Sequence, residues 1–264
     1  MNSSQAHAPL FMENTDSKSL VMFIHGFMGS PRLFDDLAKS VYHQGFSAAS
    51  LLLPGHGGSS KDFASGTMER WQRHVDAEIE RFSNDYKNVR LVGHSMGGLL
   101  ALNAAVRFTG LVRSVFMMAS PFKLALFNAK AAKTRIKMVF YRKSHPVKAV
   151  YLACAGIQSS ATFWRDTDAG FRMSPDLLWR MAKPGVELKK LMHATIGVLP
   201  NVSVPVTAVY SRSDELTSFA SLDILKSGLS GIPFDEVLLT DSLHNYFPEH
   251  ERVLIEQTLL KSLA

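Results

Sequence analysis

Three short apolar segments, each followed by glycine or proline, constrain the fold of this chain more than any other feature of its sequence. They cover residues 20–25, 46–53 and 89–92. Their apolar character is mostly continuous, whereas a strand with one face in water alternates apolar and polar residues. Continuous apolar strands are typical of a parallel sheet that is covered on both faces. We therefore expect helices between these strands.

The segments between the strands have the helical periodicity that this arrangement requires. Apolar residues recur at spacings of three and four within 31–43 and 68–82, and a segment rich in Gly, Ala and Leu covers 96–108. The later elements that we expect are strands at 111–119, 202–210 and 235–240, and helices at 216–229 and 249–263. The sequence therefore predicts an α/β fold with a doubly wound, mostly parallel sheet.

The alternation of strand and helix is interrupted once, which predicts an inserted segment. We assign 1–120 and 201–264 to the α/β core and 121–200 to an inserted, mainly helical cap. The insertion is rich in aromatic and methionine side chains. It would leave the sheet at the carboxyl ends of the strands, where α/β folds bind ligands, so its apolar face would roof a site there. Alternatively, these side chains form only the insertion's own small core.

The positive charge of the chain is concentrated in this insertion. The 264 residues include 29 Lys and Arg against 23 Asp and Glu, and 14 of the basic but only 4 of the acidic residues lie within 121–200. A basic surface over the whole molecule is therefore not expected, and we predict no nucleic-acid partner. The basic residues form either a solvated helix face or a surface that attracts anionic membranes or acidic substrates.

Cysteine content and apolar segment lengths indicate the expected cellular location. Cys154 has no second cysteine with which to form a disulfide, and the first twenty residues contain no apolar segment typical of a secretion signal. The longest apolar stretches are well below the ~18 residues that a membrane-spanning helix needs. We therefore expect a cytoplasmic protein.

The motif with the most specific chemistry follows the strand predicted at 89–92 and precedes the helix predicted at 96–108. It reads Gly93-His94-Ser95-Met96-Gly97. A sharp turn from strand to helix, with small residues two before and two after a serine, is the context of a nucleophile elbow. The spacing fits neither a dinucleotide-binding loop nor a phosphate loop, so we expect no cofactor.

A serine nucleophile needs a base and an acid that orients the base. His244 follows the strand predicted at 235–240, and Asp214 follows the strand predicted at 202–210. The resulting chain order of Ser, Asp and His is the order found in enzymes with a nucleophile elbow. Glu215, beside Asp214, and Asp241, near His244, are alternatives for the acid.

The reaction of an acyl group at Ser95 would also need N–H donors for the negatively charged oxygen. We assign them to the backbone of Met96, directly after the serine, and of Phe27, in the loop after the first strand. Gly26 would let that loop approach the serine. The remaining histidines in glycine-flanked turns are expected to support loops near the site, and they are His25, His56 and His94.

These segments together resemble the α/β-hydrolase family, and within it the small bacterial carboxylesterases and monoacylglycerol lipases. The segments are 25–27, 54–57, 93–98 and the regions of Asp214 and His244. The resemblance implies a triad of Ser95, His244 and Asp214 and an oxyanion hole formed by Phe27 and Met96. It also implies a cap domain over the site.

From these residues and the resemblance we expect a serine hydrolase that cleaves carboxylic esters through an acyl-enzyme, without a metal or another cofactor. The expected partner is a small-molecule ester, of short to medium chain length or a monoacylglycerol. Thioester hydrolysis or acyl transfer on the same scaffold is an alternative. A receptor that retained the fold without catalysis is another, because the fold alone does not determine the function.

Overall fold

A seven-stranded sheet forms the centre of the protein in the computed structural model, which describes residues 7–58, 60–125 and 175–263. The strands are β1 (Leu10–Met12), β2 (Ser19–Ile24), β3 (Ser47–Leu51), β4 (Asn88–His94), β5 (Val112–Met118), β6 (Val206–Ser211) and β7 (Phe234–Leu239). The helices are α1 (Asp35–His43), α2 (Ser60–Ala64), α3 (Met68–Ser83), α4 (Met96–Arg107), α5 (Pro175–Val198), α6 (Ala220–Gly228) and α7 (Glu249–Leu263). Short 3-10 helices cover Pro31–Phe34 and Leu199–Asn201.

The strands lie in the order β1-β3-β2-β4-β5-β6-β7 across the sheet. All neighbouring strands are parallel except β1 and β3, which pair antiparallel at one edge. The expectation of an α/β fold with a mostly parallel sheet is confirmed. Strand order changes direction between β2 and β4, which is the region where ligands bind in open α/β sheets.

Helices cover both faces of the sheet, as the continuous apolar strands require. In β2, Leu20, Met22 and Ile24 point toward the cluster that contains α3, α4, α5 and α6. Val21 and Phe23 point toward the opposite cluster, which contains α1 and α7. A strand whose successive residues enter two different cores has no polar face, and this explains its continuous apolar sequence.

Two of the expected elements begin later than the sequence pattern indicated. The strand predicted at 202–210 starts at Val206 because Pro205 has no N–H to donate to a neighbouring strand. The helix predicted at 216–229 starts at Ala220, because the N–H groups of Leu216 and Thr217 both donate to the carboxylate of Asp214. The strand β1 and the helix α2 were not predicted, and both are short.

The end of the segment assigned to the cap packs directly against the core. Leu191 of α5 is fully buried, and the Asn103 side chain of α4 donates to Oγ1 of Thr195 at 2.7 Å. The rest of the predicted cap, residues 126–174, lies outside the described residues, and so does Cys154. Within the described parts of the chain, no helix is long and apolar enough to cross a membrane.

Candidate active site

Ser95 lies on a tight turn between β4 and α4, at the carboxyl edge of the sheet. Its backbone angles are φ 52° and ψ −120°, and residues other than glycine rarely adopt a positive φ. Its N–H donates to the carbonyl of Met118 in the neighbouring strand at 2.8 Å. The strand and the helix hold this strained turn, and strain of this kind is concentrated at functional sites.

The side chains of Ser95, His244 and Asp214 form one chain of hydrogen bonds. His244 Nε2 lies 3.0 Å from Ser95 Oγ, and His244 Nδ1 lies 2.9 Å from Asp214 Oδ2. About 150 residues separate the serine from the histidine in sequence, and all three residues are buried. In this geometry Nδ1–H donates to the carboxylate, which leaves Nε2 as the acceptor for the serine hydroxyl.

The Asp214 carboxylate is held in its ionised form by its surroundings. Burial alone would raise its pKa, but the charge and hydrogen bond of His244 and the N–H groups of Thr217 and Leu216 lower the pKa below its ordinary value. Those two N–H groups donate to Oδ1 at 2.7 Å and 2.8 Å. The acid is therefore charged and its orientation is determined by the backbone.

The pKa of His244 is raised above its ordinary value by the acidic groups beside it. Burial acts in the opposite direction and would lower the pKa, but the Asp214 charge, its hydrogen bond and the charge of Glu215 outweigh burial. A raised pKa means that the imidazolium is favoured when the ring accepts a proton. The ring is thus suited to remove a proton from Ser95.

The loop that carries His244 has no regular secondary structure, yet several of its backbone groups are held by hydrogen bonds. The Glu251 carboxylate of α7 accepts the N–H groups of residues 240–242, at 2.7, 3.1 and 2.7 Å. Ser211 Oγ donates to the carbonyl of Ser242 at 2.5 Å, and Ser213 Oγ donates to the carbonyl of Thr240 at 2.6 Å. These side chains substitute for the strand pairing that ended with β7.

The two alternative acids lie near His244 but do not contact its ring. Glu215 Oε2 accepts the backbone N–H of His244 at 3.0 Å, so this carboxylate holds the main chain and not the imidazole. Asp241 is exposed and lies 3.3 Å from the ring of His250. The geometry therefore favours Asp214 as the group that orients the imidazole.

The loop after β2, which carries the predicted second oxyanion donor, comes close to Ser95. A Cβ added to Gly26 would lie 2.9 Å from Cβ of Ser95, so only glycine fits without displacing the serine. The ring of the next residue, Phe27, packs edge to face against Phe63, with 5.0 Å between the ring centroids. Met96 is the first residue of α4, where backbone N–H groups have no partner in the helix.

Two further histidines tie this loop to the loop after β3. His25 Nδ1–H donates to the carbonyl of Gly26, and His25 Nε2 accepts the N–H of Leu53 at 3.1 Å. His56 Nε2 accepts the N–H of Met28 at 3.2 Å. Both rings are buried and serve loop structure, which agrees with the role expected for them. Burial lowers the pKa of His56 to about 4 and that of His25 well below its ordinary value.

One group of side chains among the described residues has the spacing of a metal site. It consists of Asp241, His250 and Glu251. The Glu251 carboxylate already accepts N–H groups of residues 240–242, so its oxygens stabilise the loop. The arrangement is explained without a metal ion.

The role of Glu251 was not predicted, although the sequence contains a signal for it. Glu251 occupies the same face of α7 as Ile255, Leu259 and Leu263, four residues apart in each case, and all four are buried. A charged residue on an otherwise apolar helix face needs hydrogen-bond partners inside the protein. The partners themselves could not be identified from the sequence.

Comparison with known proteins places the chain among α/β hydrolases. Residues 15–230 match the family described as serine aminopeptidase, S33. A region of 118 residues is 31% identical to a probable lysophospholipase, BODYGUARD 2, of Arabidopsis thaliana, covering 42% of this chain and 24% of that protein. A region of 85 residues is 29% identical to a thermostable monoacylglycerol lipase of Bacillus sp. strain H-257, covering 32% of this chain and 34% of that protein.

The chain thus spans about a quarter to a third of the length of these relatives. Solved structures resemble it over nearly its whole length. One belongs to the metagenome-derived lipolytic enzymes LipS and LipT, with a TM-score of 0.69, 18% identity and 97% of both chains covered. Another is a monoacylglycerol lipase of Paleococcus ferrophilus, with a TM-score of 0.66, 15% identity and 97% of both chains covered. At these identities the likeness establishes the fold alone.

Proposed function

Because the chain belongs to the serine aminopeptidase S33 family of α/β hydrolases, we propose that it is a serine hydrolase that cleaves carboxylic esters through an acyl-enzyme. The observation that carries the proposal is the chain of hydrogen bonds from Asp214 through His244 to Ser95, with the serine held at φ 52°. Nucleophile, base and acid are each within hydrogen-bond distance of the next, which is what general-base activation of a serine requires.

The proposed reaction uses each of these groups in turn. Ser95 Oγ attacks the carbonyl carbon of the ester while its proton passes to Nε2 of His244. Asp214 stabilises the imidazolium, and the N–H groups of Met96 and Phe27 donate to the negatively charged oxygen. The intermediate releases the alcohol, which takes the proton from His244. Water then attacks the acyl-enzyme by the same steps, and Ser95 regains its proton as the acid leaves.

Two observations support an ester as the substrate, and one supports an amide. The relatives of this chain include a probable lysophospholipase and a monoacylglycerol lipase, which are ester hydrolases by name. We therefore propose short- to medium-chain esters or monoacylglycerols. The family description names an aminopeptidase, so hydrolysis of an aminoacyl amide by the same triad is the second candidate.

A fluorophosphonate probe, which reacts with activated serines, tests the mechanism. We expect the wild type to be labelled at Ser95 and Ser95→Ala to be unlabelled. Ser120→Ala is the matched control, because Ser120 is a fully buried serine next to the same turn, where a Cβ on Gly98 would meet its side chain. The control should label like the wild type. Labelling that persists in Ser95→Ala would show that the nucleophile is another residue.

A substrate panel then separates the two candidate reactions. Nitrophenyl esters from acetate to decanoate should be hydrolysed faster than aminoacyl nitroanilides, and both activities should be lost in Ser95→Ala. If the acyl chain is buried, each added methylene contributes up to ~0.8 kcal/mol until the pocket is full, so specificity should rise and then fall with chain length. Faster hydrolysis of the nitroanilides would indicate a peptidase instead.

The contribution of the insertion remains a prediction. Residues 126–174, which hold most of its aromatic and basic side chains, lie outside the described residues. We propose that the insertion forms a cap over Ser95 and that its basic residues contact anionic surfaces. The cytoplasmic location is likewise a proposal.

A further inference from the structure

Both polar groups of the His244 main chain are bonded to side chains, and each of these side chains comes from a residue next to another member of the triad. Glu215 Oε2 accepts the N–H of His244 at 3.0 Å. His94 Nε2–H donates to the carbonyl of His244 at 2.8 Å. In sequence, Glu215 directly follows Asp214, and His94 directly precedes Ser95. The three loops of the site are thus joined through the backbone of residue 244.

This arrangement matters because the His244 ring makes two hydrogen bonds at once. The ring reaches Ser95 at 3.0 Å and Asp214 at 2.9 Å only if its own backbone lies at one position relative to both. A rigid connection from His94 to Ser95, and another from Glu215 to Asp214, determines that position. A shift of residue 244 would lengthen the ring hydrogen bonds even though all three triad residues remained in place.

The two side chains are suited chemically to this task. Burial, with the nearby His244, lowers the pKa of His94 to about 3, so its ring is neutral near pH 7 and its single N–H is the one that donates to the carbonyl. Burial raises the pKa of the Glu215 carboxyl, and a carboxyl oxygen accepts an N–H in either protonation state.

Fold stability does not explain why a carboxyl group occupies position 215. Glu215 Oε1 is buried and has no hydrogen-bond partner among the described residues. A buried carboxyl oxygen without a partner destabilises the folded protein. The bond to the N–H of His244 is the contact that accounts for the residue.

We propose that His94 and Glu215 are positioning residues that clamp the main chain of His244 and thereby align its ring between Ser95 and Asp214. The proposal rests on the serine hydrolase function proposed above. Neither residue takes part in proton transfer or contacts the reacting atoms. Their effect on catalysis is exerted through the position of the base.

Paired substitutions separate the clamp from other roles. Glu215→Ala and His94→Leu remove the two hydrogen bonds. Glu215→Gln keeps an oxygen at the same distance along the side chain without the charge, and His94→Gln keeps an N–H at the distance of Nε2. His250→Gln is the control, because the exposed ring of His250 pairs with Asp241 of the same loop through side chains and not through the main chain.

We expect Glu215→Ala and His94→Leu each to lower kcat by about 10²-fold, the order of loss found when a reacting group is displaced by about 1 Å. KM should not change, because the alignment of the His244 ring affects proton transfer in the transition state and not the binding of the substrate. Glu215→Gln and His94→Gln should recover most of the activity, and His250→Gln should keep it. The pH at which Ser95 labelling reaches half its maximal rate should be lower in Glu215→Gln than in the wild type, because the charge of Glu215 raises the pKa of His244, while the maximal rate should be kept.

Several results would overturn the clamp. If Glu215→Gln is as inactive as Glu215→Ala even at pH values where its labelling rate is maximal, the charge of Glu215 supports catalysis and the hydrogen bond is not the cause. An increase in KM with unchanged kcat would place these residues against the substrate. Wild-type kcat in both Glu215→Ala and His94→Leu would show that neither residue contributes to catalysis.

Two further variants cover a failure to fold. If Glu215→Ala or His94→Leu does not fold, Glu215→Asp and His94→Asn retain the polar group but withdraw it by one bond. These shortened variants should lose kcat while the Gln variants keep it, and equal activity in both sets would contradict the clamp. Absence of labelling in the wild type would contradict the proposed function itself, whereas a labelled wild type with unaffected variants contradicts only the clamp.

Discussion

At the scale of single residues, four buried histidines differ in their tendency to bind a proton. Burial lowers the pKa of His25, His56 and His94, and their rings act as neutral hydrogen-bond partners of the backbone. His244 is buried as deeply, but Asp214 raises its pKa. A carboxylate at 2.9 Å therefore distinguishes the candidate base from the three structural histidines.

Asp214→Asn should lower kcat for a nitrophenyl ester by several decades, since loss of the acid of a serine protease triad costs on the order of 10⁴ in kcat. Without the carboxylate, burial dominates the pKa of His244, so the residual activity should rise at lower pH than in the wild type. Asp241→Asn is the control, because Asp241 is exposed and pairs with His250. A larger loss of kcat in Asp241→Asn than in Asp214→Asn would show that Asp241, and not Asp214, orients the imidazole.

At the scale of elements, the site depends on how closely α4 approaches the end of β2. A Cβ on Gly97 would overlap the carbonyl oxygen of Ile24 and lie 2.8 Å from the carbonyl oxygen of His25. These are backbone atoms, so they cannot move aside as a flexible side chain would. The same contact determines where the loop of Gly26 and Phe27 begins, and therefore where its N–H groups point.

Gly97→Ala should destabilise the protein although alanine favours a helix by ~1 kcal/mol over glycine. Overpacking costs typically about 1–3 kcal/mol, and here the obstructing atoms are backbone, so overlap outweighs helix propensity. Melting temperature by circular dichroism and kcat should both fall. Gly185→Ala in α5, where a Cβ would meet nothing within 4 Å, should raise the melting temperature. A stable, active Gly97→Ala would show that α4 can withdraw from β2.

At the scale of the whole molecule, the buried neutral histidines make the fold sensitive to acid. His25 and His56 join the loops after β2 and β3, and His94 joins the turn of Ser95 to the loop of His244. Protonation of any of these rings would remove an acceptor or place a charge in the interior. The folded state therefore excludes protons that the unfolded chain takes up freely.

The free energy of unfolding should decrease as pH falls below about 6.5, the ordinary histidine pKa, toward the folded value of about 4 for His56. The raised pKa of His244 makes the free energy of unfolding decrease as pH rises, but only above about pH 6.5. Urea unfolding should show a lower midpoint near pH 5 than near pH 7. His56→Gln should weaken this pH dependence, whereas His250→Gln, whose side chain is 65% exposed, should not. An unchanged dependence in His56→Gln would contradict the linkage.

Most of the fold could be predicted from the sequence, because the strongest signals in the sequence are local. Helices cover both faces of the strands β2, β3, β4 and β5. The apolar residues of these strands are therefore mostly continuous, and the strands can be recognised from the sequence. The turn of Ser95 was recognisable because glycine at 93 and 97 is needed by the close approach of strand and helix. The extent of the cap stays a prediction, as do the roles of the site residues.

Which of the polar residues contact one another could not be predicted from the sequence. Asp214 and Glu215 are adjacent carboxylates in sequence, yet one bonds the ring of His244 and the other bonds its backbone. The strand β1 is too short to leave a pattern, and it forms through pairing with β3. Glu251 is buried because its carboxylate accepts N–H groups of Thr240 and Ser242 in the loop that follows β7. Hydrogen-bond partners are set by the relative position of distant loops, and sequence periodicity contains no information about that position.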